Sequence, residues 1–195
     1  EDIIIMRDIM LAKMTGVRLH IQHLSTASGL ELVREAQAKG LPITCEVTPH
    51  HLFLTEEAVR GYNTDAKVAP PLRTAADNEA LIAGLKDGTI TCIGTDHAPH
   101  SSDKKEVEFE RAANGISSIE VAFPLIWTHL VESGRFTLSE IVTIMSCNPA
   151  ELLRIDRGSL SVGKVADVMV FDPEKEKAVD PATFYSKGKN CPYTG

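Results

Sequence analysis

The sequence predicts an α/β fold built on parallel strands, and three observations carry that expectation. Segments 17–23 (VRLHIQH), 42–47 (PITCEV) and 89–94 (TITCIG) read as strands, the first by period-two alternation and the others as short apolar runs rich in β-branched residues. Helical patterns separate them, over about 28–39 and 75–86. Strands alternating with helices imply parallel pairing through helical crossovers.

The chain opens on a helix, EDIIIMRDIMLAKMTG, in which Ile3, Met6, Met10 and Met14 recur at helical spacing. It starts without an N-cap residue or an initiator methionine, which leads us to expect a piece of a longer protein. In the first strand Val17, Leu19, Ile21 and His23 share one face. Ser25 and Thr26 offer N-cap hydroxyls for the next helix, and Gly40 closes it. The second strand runs into TPHH, read as a turn, and Asp87-Gly88 stops the helix before the third strand. Residues 100–116 are polar and without period, the pattern of a solvated surface loop. Helices then fill roughly 117–133 and 137–154. The segment GSLSVGKVADVMVFDP (158–173) changes character: two glycines precede an alternating ADVMVFD, read as a strand of a small β element outside the α/β layer. The expected division is therefore 1–157 for the α/β part and 158–195 for a partial β extension.

Composition narrows the function classes. A net charge of −7 with dispersed lysines and arginines leaves no basic stripe to neutralise phosphates, which argues against a nucleic-acid partner. No apolar run approaches the roughly 18 residues of a membrane span. Cys45, Cys92, Cys147 and Cys191 lie far apart without a CxxC pair, a pattern that favours a reducing, cytoplasmic setting.

His23 and Asp96 stand at the carboxyl ends of two predicted parallel strands, 73 positions apart. That edge of an α/β sheet is where ligands bind. An imidazole and a carboxylate converging there suit Zn²⁺, and so wide a separation calls for a tertiary fold rather than a compact finger. His100 follows Asp96 by four positions, beyond Pro99, which stops the strand from continuing. His20 faces the other side of its strand from His23, and His129 lies mid-helix, so both read as structural. Arg73 reads as ordering a loop.

TDHAPH at 95–100, QHLST at 22–26, EVTPHHL at 46–52 and PPLR at 70–73 together resemble the bacterial dihydroorotase family, cyclic amidases of the amidohydrolase superfamily. GSLSVGKVADVMVFD resembles the segment where such proteins leave their barrel and re-enter a small β-sandwich. The resemblance implies a (β/α)8 TIM-type barrel, of which this chain would supply the C-terminal portion plus part of the β-sandwich extension. Three strands cannot close such a barrel, which typically needs about 250 residues.

By the same resemblance His23 is a zinc ligand, and Asp96 touches the metal and shuttles protons. His100 holds the substrate's carboxylate, and the backbone at Asn114 and Gly115 approaches the substrate ring. His50 and His51 are bystanders near the site. Some relatives carry a substrate-contacting asparagine where this sequence has Ala69. The reaction implied is reversible hydrolysis of dihydroorotate to N-carbamoyl-aspartate in pyrimidine biosynthesis, with one or two zinc ions. Further ligands would lie upstream of Glu1, so the 195-residue chain alone is expected to lack appreciable activity. A homodimer and an association with aspartate transcarbamoylase are further expectations. Two rival readings are a hydantoinase- or allantoinase-like cyclic amidase and a non-catalytic dihydroorotase-like scaffold of aspartate transcarbamoylase.

Overall fold

A computed structural model describes residues 1–194. Three strands, β1 (Leu19–Ile21), β2 (Ile43–Val47) and β3 (Cys92–Ile93), form one parallel sheet in the order β1-β2-β3. The helix α1 (Asp2–Thr15) precedes β1, and α2 (Ala27–Ala38) crosses from β1 to β2. A short α3 (Pro49–Phe53) follows β2, and α4 (Ala75–Lys86) leads into β3. Beyond the sheet come α5 (Ser102–Lys105), α6 (Ile119–Ile126), α7 (Leu138–Val142) and α8 (Asn148–Leu153). Helical residues 127–132 and 143–147 continue α6 and join α7 to α8 with wider, π-type turns. Among the described residues no helix is long and apolar enough to cross a membrane.

Local chemistry explains the crossovers. Thr26 accepts from the Gly29 N–H and so starts α2. Thr74 and Asp77 form a reciprocal capping box that starts α4. Asp77 also accepts from the Ala27 N–H at 2.9 Å, so one carboxylate ties the beginnings of both helices together. On one face of the sheet, Ile43, Cys45 and Val47 pack with Leu30 and Val33 of α2 and Leu81, Ile82 and Leu85 of α4 in the main core. Each such side chain contributes about 1.5–3 kcal/mol when fully buried. The opposite face carries His20, Thr44 and Glu46, only partly buried.

The structure corrects several expectations. In α1 the residues turned inward are Ile5 and Ala12, with Ile9 partly buried, while Ile3, Met6, Met10 and Met14 are exposed. The narrower Ile5–Ile9–Ala12 row fits against α2, where a Cβ on Gly29 would come within 2.9 Å of the Ile5 Cδ1. TPHH is no turn: Thr48 accepts from the His51 N–H and begins α3, with Pro49 in its first turn. The third strand is shorter than 89–94, because Asp87 captures the Thr89 N–H at 2.9 Å and holds the strand's entry as a turn. The charged side chains of residues 100–116 are exposed as expected, with one exception: α5 interrupts the segment and Lys105 is buried.

The strand expected in ADVMVFD does not form among the described residues, and residues 158–173 pair with no other strand. A strand exists only through a ladder partner. Here Phe171 instead packs edge-on against Phe123 and Trp127, at centroid distances of 4.9 and 5.0 Å. That contact draws the segment onto α6, while Val162, Val168 and Val170 stay exposed. Gly195, the end of the expected β extension, lies outside the described residues.

Candidate functional site

The carboxyl edge of the sheet gathers the groups singled out in the sequence. His23 follows β1 and Asp96 follows β3, and both adopt positive φ, 39° and 45°. Such backbone is uncommon for residues other than glycine and concentrates at functional sites. At His23 the cause is visible in the ladder. Leu19 N–H bonds to the Pro42 carbonyl, and two-residue steps would bring residue 23 to Glu46. Leu24 makes that bond instead, at 2.9 Å. One extra residue is thus inserted, which re-aims His23 and corrects the reading that it shares a face with Leu19 and Ile21.

The His23 Nδ1 is buried without a hydrogen-bond partner. Buried polar atoms are normally satisfied, so an orphaned imidazole nitrogen at a strand end fits a metal ligand. Asp96 is exposed, as befits a group that meets a ligand from solvent.

His51 lies close enough to feel both His23 and Asp96. Its Nε2–H donates to the Pro70 carbonyl at 3.0 Å, which leaves Nδ1 to accept from the Thr48 hydroxyl at 2.8 Å. Burial pushes its pKa down to about 4, against the pull of the Pro70 carbonyl. Both nitrogens are therefore spent on structure. His50 differs: it is 1% exposed and neither ring nitrogen has a partner. Burial, then His51 and His23, push its pKa down to about 2.

A second group sits on the sheet face away from the core. Donor atoms of His20, Glu46 and Cys92 lie within 4.8 Å of one another, a spacing that could hold a metal ion. His20 Nδ1 meets the Thr44 hydroxyl at 2.8 Å and Nε2 faces the Glu46 carboxylate at 3.4 Å. Burial, then Glu46, push the Cys92 thiol up to about 12, so it stays protonated in this arrangement. His129 stacks on Phe53 at 4.7 Å, and Arg73 ties Ser25 to Glu1.

His100, Asn114 and Gly115 are brought together. The His100 Nε2–H donates to the Asn114 carbonyl at 2.9 Å. Gly115 has φ 137°, and a Cβ there would fall 2.5 Å from the Ala98 Cβ and 3.2 Å from His100 Nε2, so only glycine fits. Lys105 Nζ donates to the Ala113 and Gly115 carbonyls at 2.9 and 3.1 Å, which explains its burial. A cavity of ≈ 400 Å³ opens beside His100, lined in part by Asp65, Ser101, Lys187 and Asn190. A larger one of ≈ 560 Å³ lies between α6 and residues 171–185, among Phe123, Trp127 and Phe171, with none of the strand-end groups in its walls.

Comparison with known proteins places this geometry. Residues 6–195 match the model of the amidohydrolase family. A dihydroorotase of Thermoanaerobacter sp. (strain X514) is 55% identical over 195 residues, all of this chain and 45% of that protein. A dihydroorotase of Geobacter sp. (strain M21) is 53% identical, over all of this chain and 46% of its own length. The chain thus spans a little under half the length of these relatives. Among solved structures, the L-hydantoinase (dihydropyrimidinase) from Arthrobacter aurescens superposes with a TM-score of 0.92 at 34% identity, over 98% of this chain and 44% of that one. The dihydropyrimidinase from Brevibacillus agri NCHU1002 gives 0.92 at 26% identity, over 98% and 43%.

Proposed function

Because the chain belongs to the amidohydrolase family, we propose that it carries part of a zinc-dependent active site for cyclic amide hydrolysis, with dihydroorotate as the substrate and N-carbamoyl-aspartate as the product. The observation that carries this reading is the pairing of a partnerless, buried His23 Nδ1 with Asp96 at one sheet edge, each near His51. The higher identity to proteins named dihydroorotases, against 34% and 26% for the two superposed structures, supports dihydroorotate as the ring opened.

His23 and Asp96 would hold the metal, with further ligands from elsewhere in the assembled site. Bound zinc would polarise the amide carbonyl and lower the pKa of water toward 7. Asp96 takes the proton of the attacking water and delivers it to the departing ring nitrogen, a general acid–base contribution of about 10²–10⁴-fold. His100, whose Nε2–H is held by the Asn114 carbonyl, would orient the substrate carboxylate through a second donor, Nδ1–H, a contact that requires both ring nitrogens to carry protons. Gly115, without a side chain, lets the ring approach the backbone at 114–115. The free cysteines accord with a reducing, cytoplasmic setting.

The test uses the full natural polypeptide. Wild type is expected to contain zinc and to open dihydroorotate. His23→Ala is expected to lose zinc, and Asp96→Asn to lower kcat by at least about 100-fold. A second reading, a hydantoinase-like cyclic amidase, draws on the fold likeness to the two superposed structures. Competition between dihydroorotate and hydantoin decides: faster opening of hydantoin overturns the substrate assignment, and a zinc-free protein without turnover favours a scaffold.

A further inference from the structure

Asn190 lies near the chain's end, yet its side chain is built into the 97–117 segment. It is 4% exposed. Its Oδ1 accepts from the His100 N–H at 2.8 Å, and its Nδ2 donates to the Ala98 carbonyl at 3.0 Å and the Gly115 carbonyl at 2.9 Å. Its own backbone carbonyl accepts from the Ser117 N–H at 2.8 Å. A carboxamide offers an acceptor and two donors in one plane; here one acceptor site and both donors engage three backbone positions on the two arms of the segment.

A separate feature seats the same stretch. Gly188 is buried, and a Cβ there would meet the Pro99 Cβ at 2.6 Å, the His100 N at 2.7 Å and the Pro99 Cα at 2.8 Å. The chain at 188–190 therefore lies against the Pro99–His100 backbone with no room for a side chain between. Asn190 bridges the arms at the level where His100 and Gly115 face each other.

We propose that Asn190 is a positioning residue for the substrate-carboxylate subsite, setting the separation of His100 from the 114–115 backbone. This rests on the reading above that His100 meets the substrate carboxylate. Asn190 itself touches no reacting atom. Losing its side chain leaves the His100 N–H and the Ala98 carbonyl without their recorded side-chain partner, while Gly115 keeps Lys105. The segment then relaxes, and substrate binding suffers before the chemical step does.

The experiment compares wild type with Asn190→Ala and Gly188→Ala in the full natural polypeptide. Gly188→Ala leaves the amide in place but pushes the 188–190 stretch off the Pro99–His100 backbone, and it serves where the first variant fails to fold. The expected result is a KM for dihydroorotate raised about tenfold with kcat held within about threefold, at unchanged zinc content. A purely structural role would lower the active fraction, so a fall in kcat at constant KM overturns the proposal, as do unchanged constants. Should wild type not turn over dihydroorotate, the substrate reading fails on its own. Amide hydrogen exchange then decides the positioning role: faster exchange at His100 and Ser117 in Asn190→Ala upholds the clamp, and unchanged exchange removes it.

Discussion

Gly84 of α4 stands against Leu30 of α2 with no space for a side chain: a Cβ on Gly84 would lie 2.8 and 2.9 Å from the two Leu30 methyls and 3.2 Å from the Ile90 Cδ1. Leu30 is 2% exposed and cannot swing aside into solvent. Two opposing terms meet at this position. Alanine gains about 1 kcal/mol of helix propensity over glycine, whereas overpacking a tight core costs about 1–3 kcal/mol. Gly84→Ala is therefore expected to destabilise by about 1 kcal/mol net and Gly84→Val by about 3 kcal/mol. Urea unfolding midpoints measure both. Pairing Gly84→Ala with Leu30→Val should recover part of the loss, and strict additivity of the two changes would refute the contact.

Lys105 makes a different kind of contact, an amine buried to 3% exposure with two carbonyls as partners. Burial pulls its pKa down, so the charge survives there because Asp65 and the carbonyls favour it. Replacing it by Met keeps the stem and removes the donor. The Gly115 carbonyl retains Asn190, but the half-buried Ala113 carbonyl loses this partner. A cost of about 2 kcal/mol is expected, in the range for hydrogen bonds to charged groups. Lys104→Met, one residue away and exposed, should change stability by less than about 0.5 kcal/mol. Equal effects from the two would show that Lys105 is not anchored as described.

What the sequence revealed follows from what is local. Thr26, Gly40 and Gly88 sit beside the helices they start or follow, and β2 shows its apolar face in five residues, so α2, the end of α4 and β2 were legible. His23 and Asp96 were legible because a charged or polar group at the end of an apolar strand is itself conspicuous. Lys105 and Asn190 were hidden for a physical reason: their partners are backbone atoms elsewhere in the chain. Nothing about DKKEVE suggests that one lysine of the pair turns inward, since its carbonyl partners at Ala113 and Gly115 are backbone atoms. Asn190 is 90 residues from the His100 amide it receives. The missing strand in ADVMVFD failed for the converse reason. Its alternation is real, but pairing depends on an available edge, and Phe171 found Phe123 and Trp127 instead.

The two buried histidines of α3 make stability depend on pH in a definite direction. Their unfolded value is 6.5, and burial holds His50 near 2 and His51 near 4 in the folded chain. Both folded values are depressed, so as pH falls through 6.5 the unfolded chain takes up two protons that the folded chain refuses. Each contributes a slope of about 1.4 kcal/mol per pH unit in that window, with stability greatest above it. Moving from pH 7 to pH 5 should therefore remove about 4 kcal/mol. Urea unfolding at the two pH values reads this directly. His50→Phe keeps a ring in the apolar site without a titrating group, and it should roughly halve the loss. A midpoint indifferent to pH, or a His50→Phe variant with the full wild-type slope, would show that His50 finds a proton or a partner in the folded chain, and its orphaned nitrogens would then belong to an occupied site.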